Sequence, residues 1–156
     1  MAQIGIIMGS KSDLPIMQEA IDILSELGIK TDVDIVSAHR TPEKMMDYGI
    51  NAHKKGIKVI IAGAGGAAAL PGAIASWTTL PVIGVPIASS ELKGVDSLYS
   101  IVQMPPGIPV GTVAIGKPGA INAALYAISI MALKDESLAK QLKNYRVEQA
   151  EKVLKI

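Results

Sequence analysis

Short apolar runs alternate along the chain with longer segments whose apolar residues recur at helical spacing. The apolar runs predict strands at residues 4–8, 31–36, 59–62, 81–85 and 110–115. The segments between and after them predict helices at residues 12–28, 42–55, 71–77, 96–102 and 118–133, and from Asp135 or Ser137 to 155. Strands that alternate with helices are typical of a parallel sheet covered by helices, so the predicted fold class is an α/β sandwich with about five strands.

Helix ends carry their own signals in this sequence. Ser12 is the expected N-cap of the first helix, and Gly28 is expected to end it. Thr41 is the expected N-cap of the second helix, because Pro42 follows at the first helical position.

The predicted helix at residues 118–133 has almost no polar face. A helix that is apolar all round is buried all round, and the outer helices of a small sandwich should keep one face in water. We therefore expect this helix to lie in a subunit interface of a homo-oligomer with closed symmetry. The alternative is a central helix within a monomer.

Composition excludes several classes of function. The chain of 156 residues is expected to form a single domain, 1–156, with a C-terminal helix from about residue 135. Its net charge of +1 favours neither a nucleic-acid nor a membrane partner. The absence of cysteine excludes disulfides and cysteine-ligated metals, and two histidines make a zinc site improbable. No signal peptide or membrane span is evident, so a cytoplasmic location is expected.

His39 and Arg40 follow the second predicted strand directly. In an open parallel sheet, the carboxyl ends of the strands face the ligand crevice. Histidine is the side chain best able to accept and return a proton near neutral pH, which makes His39 the candidate catalytic group. The alternative is a surface loop without a function.

The loop after the first strand, residues 9–13, combines small residues, hydroxyl groups and a helix start. Free backbone N–H groups at such a helix start suit a phosphate. The loop lacks the ending of a Walker A motif. Asp13 either complements the helix dipole or accepts hydrogen bonds from sugar hydroxyls.

The loop after the third strand, residues 63–72, is unusually rich in glycine and alanine. Small residues let a backbone approach a flat ligand closely. Tight helix–sheet contact is the competing explanation. The loop does not match a dinucleotide-binding fingerprint.

Taken together, residues 9–13, 37–42 and 63–68, on three consecutive strands, resemble the N5-carboxyaminoimidazole ribonucleotide mutase family. Residues 94–105 and 107–112 resemble it as well. The resemblance implies a flavodoxin-like three-layer α/β/α sandwich, assembled as an octamer, that needs no cofactor or metal. It implies a step of de novo purine synthesis in which a carboxylate moves from the exocyclic nitrogen of an aminoimidazole ribonucleotide to ring carbon C4.

The resemblance also implies roles for individual residues. His39 would carry the proton, and Ser10, Asp13 and Arg40 would bind the nucleotide. Further contacts would come from Ser12 and Ser37, while Gly65 and Gly66 would face the imidazole. One imidazole is chemically sufficient, because the same group can protonate the nitrogen and deprotonate the carbon.

One position departs from the family pattern, and two alternatives remain open. The family usually has a histidine where this chain has Ala69, so a second imidazole is missing. One alternative is direct carboxylation by carbon dioxide, although the class that performs it generally has lysine at the position of Arg40. The other alternative is a nucleotide-binding module with little activity, since this fold hosts many functions.

Overall fold

The computed structural model describes residues 1–89 and 91–155 and contains a five-stranded sheet. The strands are β1 (Ile4–Met8), β2 (Thr31–Ile35), β3 (Val59–Gly65), β4 (Val82–Ile87) and β5 (Gly111–Thr112). All are parallel, in the spatial order β2-β1-β3-β4-β5, which is the flavodoxin-like order. The predicted fold class is confirmed.

Helices connect the strands and cover both faces of the sheet. They are α1 (Leu14–Glu26), α2 (Pro42–Asn51), α3 (Ala69–Ala75), α4 (Val95–Val102), α5 (Lys117–Ala132) and α6 (Glu136–Leu154). Short 3-10 turns occupy Lys11–Asp13 and Ala52–Lys55. Among the described residues, none of the helices combines the length and the apolarity that a membrane crossing requires.

Alternate residues of the central strands pack into two separate hydrophobic cores. Ile4, Ile6 and Met8 of β1 lie in the core shared with α1 and α5. Ile7 lies in the other core, which includes residues of α2 and α3 such as Tyr48 and Ile74. Because β1 is buried on both faces, its sequence is a continuous apolar run, as expected for a central parallel strand.

Two strands differ from their predicted length for reasons that lie outside their own sequence. β3 continues to Gly65 because residues 63–65 pair with residues 85–87 of β4, which itself extends beyond the predicted end at 85. β5 keeps regular pairing over two residues only. Beyond β5, Val113 N donates to Gly84 O and Gly116 N donates to Pro86 O. The two donors are three residues apart and the two acceptors only two, so the pairing with β4 is no longer regular.

The predicted N-cap of the first helix was wrong, whereas the predicted N-cap of the second helix is confirmed. Ser10, rather than Ser12, supplies a cap, since its Oγ accepts from the Ser12 amide. Thr41 does occupy the N-cap position of α2, but its hydroxyl bonds the backbone of Ser37 instead of the helix. Ser90, in the segment between the predicted strand 81–85 and the predicted helix 96–102, lies outside the described residues.

Helix α5 obtains much of its apolar surroundings within one chain. It packs against β3, β4 and α1, and α6 covers it through Leu138 and Leu142. The expectation that an outer helix keeps one face in water therefore does not hold for α5, because α6 adds an outer layer at this point. Tyr126 remains 50% exposed and Leu133 84% exposed. The apolar composition of α5 alone thus does not require a partner subunit.

Gly119 offers a test of how closely α5 approaches the segment between β5 and α5. A Cβ at this position would overlap the backbone carbonyl of Ala114. Alanine in a helix is otherwise favoured over glycine by about 1 kcal/mol. We expect Gly119→Ala to lower the free energy of unfolding by about 2–3 kcal/mol, because overpacking against backbone outweighs that preference. Urea unfolding followed by circular dichroism measures this change.

The matched control is Gly9→Ala, whose added Cβ would meet only Asp13 Oδ2 at 3.8 Å. Its free energy of unfolding should change by no more than about 0.5 kcal/mol. Equal stability of the two variants would contradict the close approach of α5 to Ala114.

Candidate active site

A cleft of about 540 Å³ lies at the carboxyl ends of β1, β2, β3 and β4. The chain runs from β1 outward to β2 and then back past β1 to β3, so the connections leave β1 and β3 in opposite directions. Such a reversal opens a crevice at that edge of the sheet. All eight residues named from the sequence line it: Ser10, Ser12, Asp13, Ser37, His39, Arg40, Gly65 and Gly66.

A larger cleft, of about 720 Å³, lies at the opposite end of the sheet, beside Pro81 before the start of β4. It is lined by residues that include Trp77 and His53, and none of its lining residues is acidic. The smaller cleft contains the carboxylate of Asp13, the guanidinium of Arg40 and four serine hydroxyl groups. We therefore take it as the candidate active site on the basis of its functional groups, although the other cleft is larger.

The first loop arranges two serine hydroxyls in a defined direction. Ser10 Oγ accepts from the Ser12 amide at 3.3 Å and from Ser12 Oγ at 2.9 Å. A hydroxyl carries one proton and can accept twice, so the proton of Ser10 stays available to another acceptor. Ser10 is therefore suited to donate to an anionic oxygen in the cleft.

Asp13 is half-buried beside this loop. Burial raises the pKa of its carboxyl above the usual 3.8, while a backbone hydrogen bond with Ser10 and the charge of Arg40 lower it in part. The side chain makes no capping hydrogen bond to α1. Asp13 stands at the start of α1, a position that is compatible both with complementing the helix dipole and with hydrogen bonding to a ligand.

Arg40 joins the second loop to the first. One terminal nitrogen donates to Gly9 O at 2.9 Å, and Nε donates to Ser37 Oγ at 3.2 Å. The Arg40 amide donates to the same Ser37 oxygen, and Thr41 holds the Ser37 backbone. A guanidinium has five N–H donors, so the anchored group keeps donors for an anion in the cleft.

His39 is exposed in the turn that carries Arg40. It is the one histidine among the residues that line the cleft. Ala69 lines the cleft as the first residue of α3 and contributes a methyl group. His53, the other histidine, lies in the 3-10 turn Ala52–Lys55 and lines the larger cleft. No group of three or more His, Asp or Glu side chains that could hold a metal occurs in the described residues.

The third loop turns sharply at the end of β3. A Cβ on Gly65 would lie 3.1 Å from Ile87 O, so close packing against β4 explains this glycine. Gly66 has φ +61° with open space around it, so its backbone conformation explains that glycine. Ala68 also adopts a positive φ of 42°, closing a turn in which its amide donates to Gly65 O. The loop consequently presents backbone to the cleft.

Sequence reasoning missed Ala88 and Ser89, which also line the cleft. Ser89 Oγ donates to Asp96 Oδ2 at 3.1 Å. These residues follow β4, and the predicted strand ended at residue 85, too early to place them at the edge. The motif at residues 94–105 contained Asp96 and was the available signal.

Comparisons with known proteins agree with one another. A family model described as AIR carboxylase matches residues 3–152. An N5-carboxyaminoimidazole ribonucleotide mutase of Haemophilus influenzae is 60% identical over 98% of this chain and 93% of its own length. One of Saccharolobus solfataricus is 57% identical over 99% and 96%. The crystal structure of Treponema denticola PurE superposes with a TM-score of 0.87 at 30% identity, covering 99% of this chain and 96% of that one.

The raised pKa of Asp13 predicts a pH-dependent difference in stability. The folded state holds the Asp13 proton more tightly than the unfolded state, so stability falls as pH rises from 3.8 through the folded pKa. Asp13→Asn removes this loss. We expect the variant to gain stability over the unchanged chain at pH 7 and to lose that advantage towards pH 3.8. Urea unfolding across this range checks the sign, and a variant that is less stable at pH 7 would contradict it.

Proposed function

The chain belongs to the AIR carboxylase family, and we propose how its cleft carries out the reaction of its relatives. It is an isomerase of purine biosynthesis that converts N5-carboxyaminoimidazole ribonucleotide to 4-carboxy-5-aminoimidazole ribonucleotide. The observation that carries the proposal is the convergence of one imidazole, one carboxylate, one guanidinium and a hydroxyl-lined turn in one cleft.

The nucleotide phosphate binds at the first loop in this proposal. Ser10 has a free proton to donate, and the remaining donors of Arg40 add positive charge, as a phosphate requires. Asp13 accepts hydrogen bonds from ribose hydroxyls, because its carboxylate makes no capping hydrogen bond to α1 and can accept them. Ser12 and Ser37 hold Ser10 and Arg40 in place and add polar contacts. The backbone at Gly65 and Gly66 faces the flat imidazole ring.

His39 acts as the proton carrier between two atoms of the ring system. The carbamate bond breaks to release carbon dioxide, and His39 donates a proton to the nitrogen that is left. The enamine-like C4 then attacks the trapped carbon dioxide, which gives a tetrahedral carbon with one proton to lose. His39 removes that proton, so the imidazole ends in its starting state and the atoms balance without a co-reactant.

The other requirement of this reaction is that carbon dioxide stays beside C4 between the two steps. The cleft is open in the single chain, and two of the groups that line it, His39 and Arg40, are exposed. Closure by ligand or by a neighbouring subunit would exclude water and retain the gas.

We propose that the chain assembles as a homo-oligomer, an octamer by resemblance to its family. The support is an exposed apolar strip on α4, where Val95, Tyr99 and Val102 are 44%, 63% and 50% exposed. Their spacing places them on one helix face, and contiguous exposed apolar surface of this kind marks an interaction site. A second copy of this chain is the proposed occupant. The cytoplasmic location expected from the sequence stays a prediction.

Replacing His39 tests the proposed chemistry. We expect His39→Asn to lower the rate of conversion by about 100-fold or more, because asparagine cannot transfer protons near neutral pH. Binding of the product nucleotide should persist, since Ser10, Asp13 and Arg40 are unchanged. The assay supplies the carboxyamino ribonucleotide without ATP or bicarbonate and follows product formation, with binding measured by calorimetry.

His53→Asn is the matched control, because it removes the histidine of the other cleft. It should leave the rate unchanged. Full activity of His39→Asn would falsify the role of His39. A rate that rises with dissolved carbon dioxide when only the uncarboxylated ribonucleotide is supplied would instead indicate direct carboxylation.

Sedimentation equilibrium tests the proposed assembly. We expect a mass eight times the 16.3 kDa of one chain. Tyr99→Lys should shift the mass towards smaller species, because a charge would then be buried at the apolar strip of α4. A mass of one chain for the unchanged protein would contradict the assembly.

A further inference from the structure

Two residues that follow β4 form a fourth wall of the cleft, beyond the three loops already discussed. Ala88 and Ser89 line the cleft on this side. In the strand order, β4 is separated from β1 by β3, so Ser89 and Ser10 stand on opposite sides of the loop that contains Gly66. None of the roles described above involves this wall.

The start of α4 anchors the loop by buried hydrogen bonds. Ser97 is completely buried, and its hydroxyl lies 2.8 Å from Ile87 O and 2.9 Å from Gly94 O. It therefore links the end of β4 to the first turn of α4. Gly94 has φ +90°, and a Cβ there would lie 3.3 Å from Ala88 Cα, so the two ends of the loop are in close contact. Ser89 consequently sits on a braced segment.

Asp96 determines how the Ser89 hydroxyl is oriented. Ser89 Oγ lies 3.1 Å from Asp96 Oδ2, and a carboxylate can only accept, so the single proton of Ser89 points at Asp96. The other carboxylate oxygen, Asp96 Oδ1, is buried without a hydrogen-bond partner among the described residues. Asp96 also lies in the first turn of α4, where the helix N-terminus favours negative charge.

This arrangement leaves only the lone pairs of Ser89 for a ligand. Ser10 shows the reverse arrangement, because it accepts from Ser12 twice and keeps its proton free. The cleft therefore offers a hydroxyl donor at the first loop and a hydroxyl acceptor at the loop after β4. A ligand with an acceptor-only group at one end and an N–H or O–H donor at the other therefore binds in one orientation, with its acceptor at Ser10 and its donor at Ser89.

We propose that Ser89 contacts the substrate by accepting a hydrogen bond from the nucleotide, and that Asp96 is the positioning residue that fixes this direction. The proposal rests on the proposed function. The phosphate and the carboxylate of the nucleotide cannot donate, which leaves its exocyclic amine and its ribose hydroxyls. Ser89 thus selects for ligands that carry a donor at this place.

The test is a double-mutant cycle on the full chain, with the affinity for 4-carboxy-5-aminoimidazole ribonucleotide measured by calorimetry. Ser89→Ala should weaken binding about fivefold, the usual effect of one neutral hydrogen bond. Asp96→Ala should weaken it by at most the same factor, because the released hydroxyl keeps its lone pairs but is no longer held in the direction that presents them to the ligand. The double variant should bind like Ser89→Ala alone. Ser89→Thr, which keeps the hydroxyl, should restore most of the affinity.

Matched controls on the exposed face of α1 are Ser25→Ala and Asp22→Ala, which should leave the affinity unchanged. A purely structural role of Asp96 would weaken binding equally with and without Ser89, and that result would overturn the proposal. Unchanged affinity in Ser89→Ala would overturn it as well. If Asp96→Ala fails to fold, the Ser89 variants alone decide the outcome.

Ribose 5-phosphate, which lacks the base, identifies the donor group. If Ser89→Ala weakens binding of this smaller ligand too, the donor is a ribose hydroxyl. If it does not, the donor is the exocyclic amine, and either result supports the proposal. Failure of the unchanged chain to bind the product nucleotide would overturn the proposed function, and this inference with it.

Discussion

The parallel pairing of β1 with both β2 and β3 is the constraint on which the rest of the structure depends. It places the ends of these strands side by side, so that three loops distant in sequence meet in one cleft. The pairing is stabilised by buried residues on both faces of β1, such as Ile6 and Ile7, in two different cores. Because neither face of this strand is free, its register cannot slip without burying the wrong residues.

Within the cleft, hydrogen bonds between neighbouring groups determine whether each polar side chain can act as a donor or as an acceptor towards a ligand. Ser12 gives its proton to Ser10, so Ser10 is left as a donor, whereas Asp96 takes the proton of Ser89 and leaves an acceptor. The Arg40 guanidinium donates hydrogen bonds to Gly9 O and Ser37 Oγ, and these fix the direction of its remaining N–H groups. In the proposed function, this allocation of donors and acceptors is what orients the nucleotide in the cleft.

Among the residues that line the same cleft, His39 alone carries an imidazole. Ala69 stands at the start of α3, at the position where the resemblance to the family implies a second histidine, and it offers only a methyl group. In the proposed reaction, proton transfer therefore depends on His39, which lies exposed in the turn that carries Arg40.

Local sequence predicted the central elements well. The limits of β1 and the position of Thr41 at the start of α2 were correct, because apolar runs and helix-start residues act over a few positions. The candidate site residues were also named correctly as neighbours in one cleft, since each follows a strand and strands of a parallel sheet end at one edge. Their roles in binding and catalysis stay predictions.

Other features were decided only by contacts between distant segments. β3 reaches Gly65 because β4 pairs with it, and α5 is covered because α6 folds back over it. The hydrogen bond between Ser89 and Asp96 likewise depends on Ser97 drawing α4 towards the end of β4. The sequence by itself determined which segments are strands and helices and which loops carry chemistry, because those signals are local. The tertiary structure alone decided where strands end, what covers each helix and where each hydroxyl proton points, because those depend on neighbours that the linear pattern does not specify.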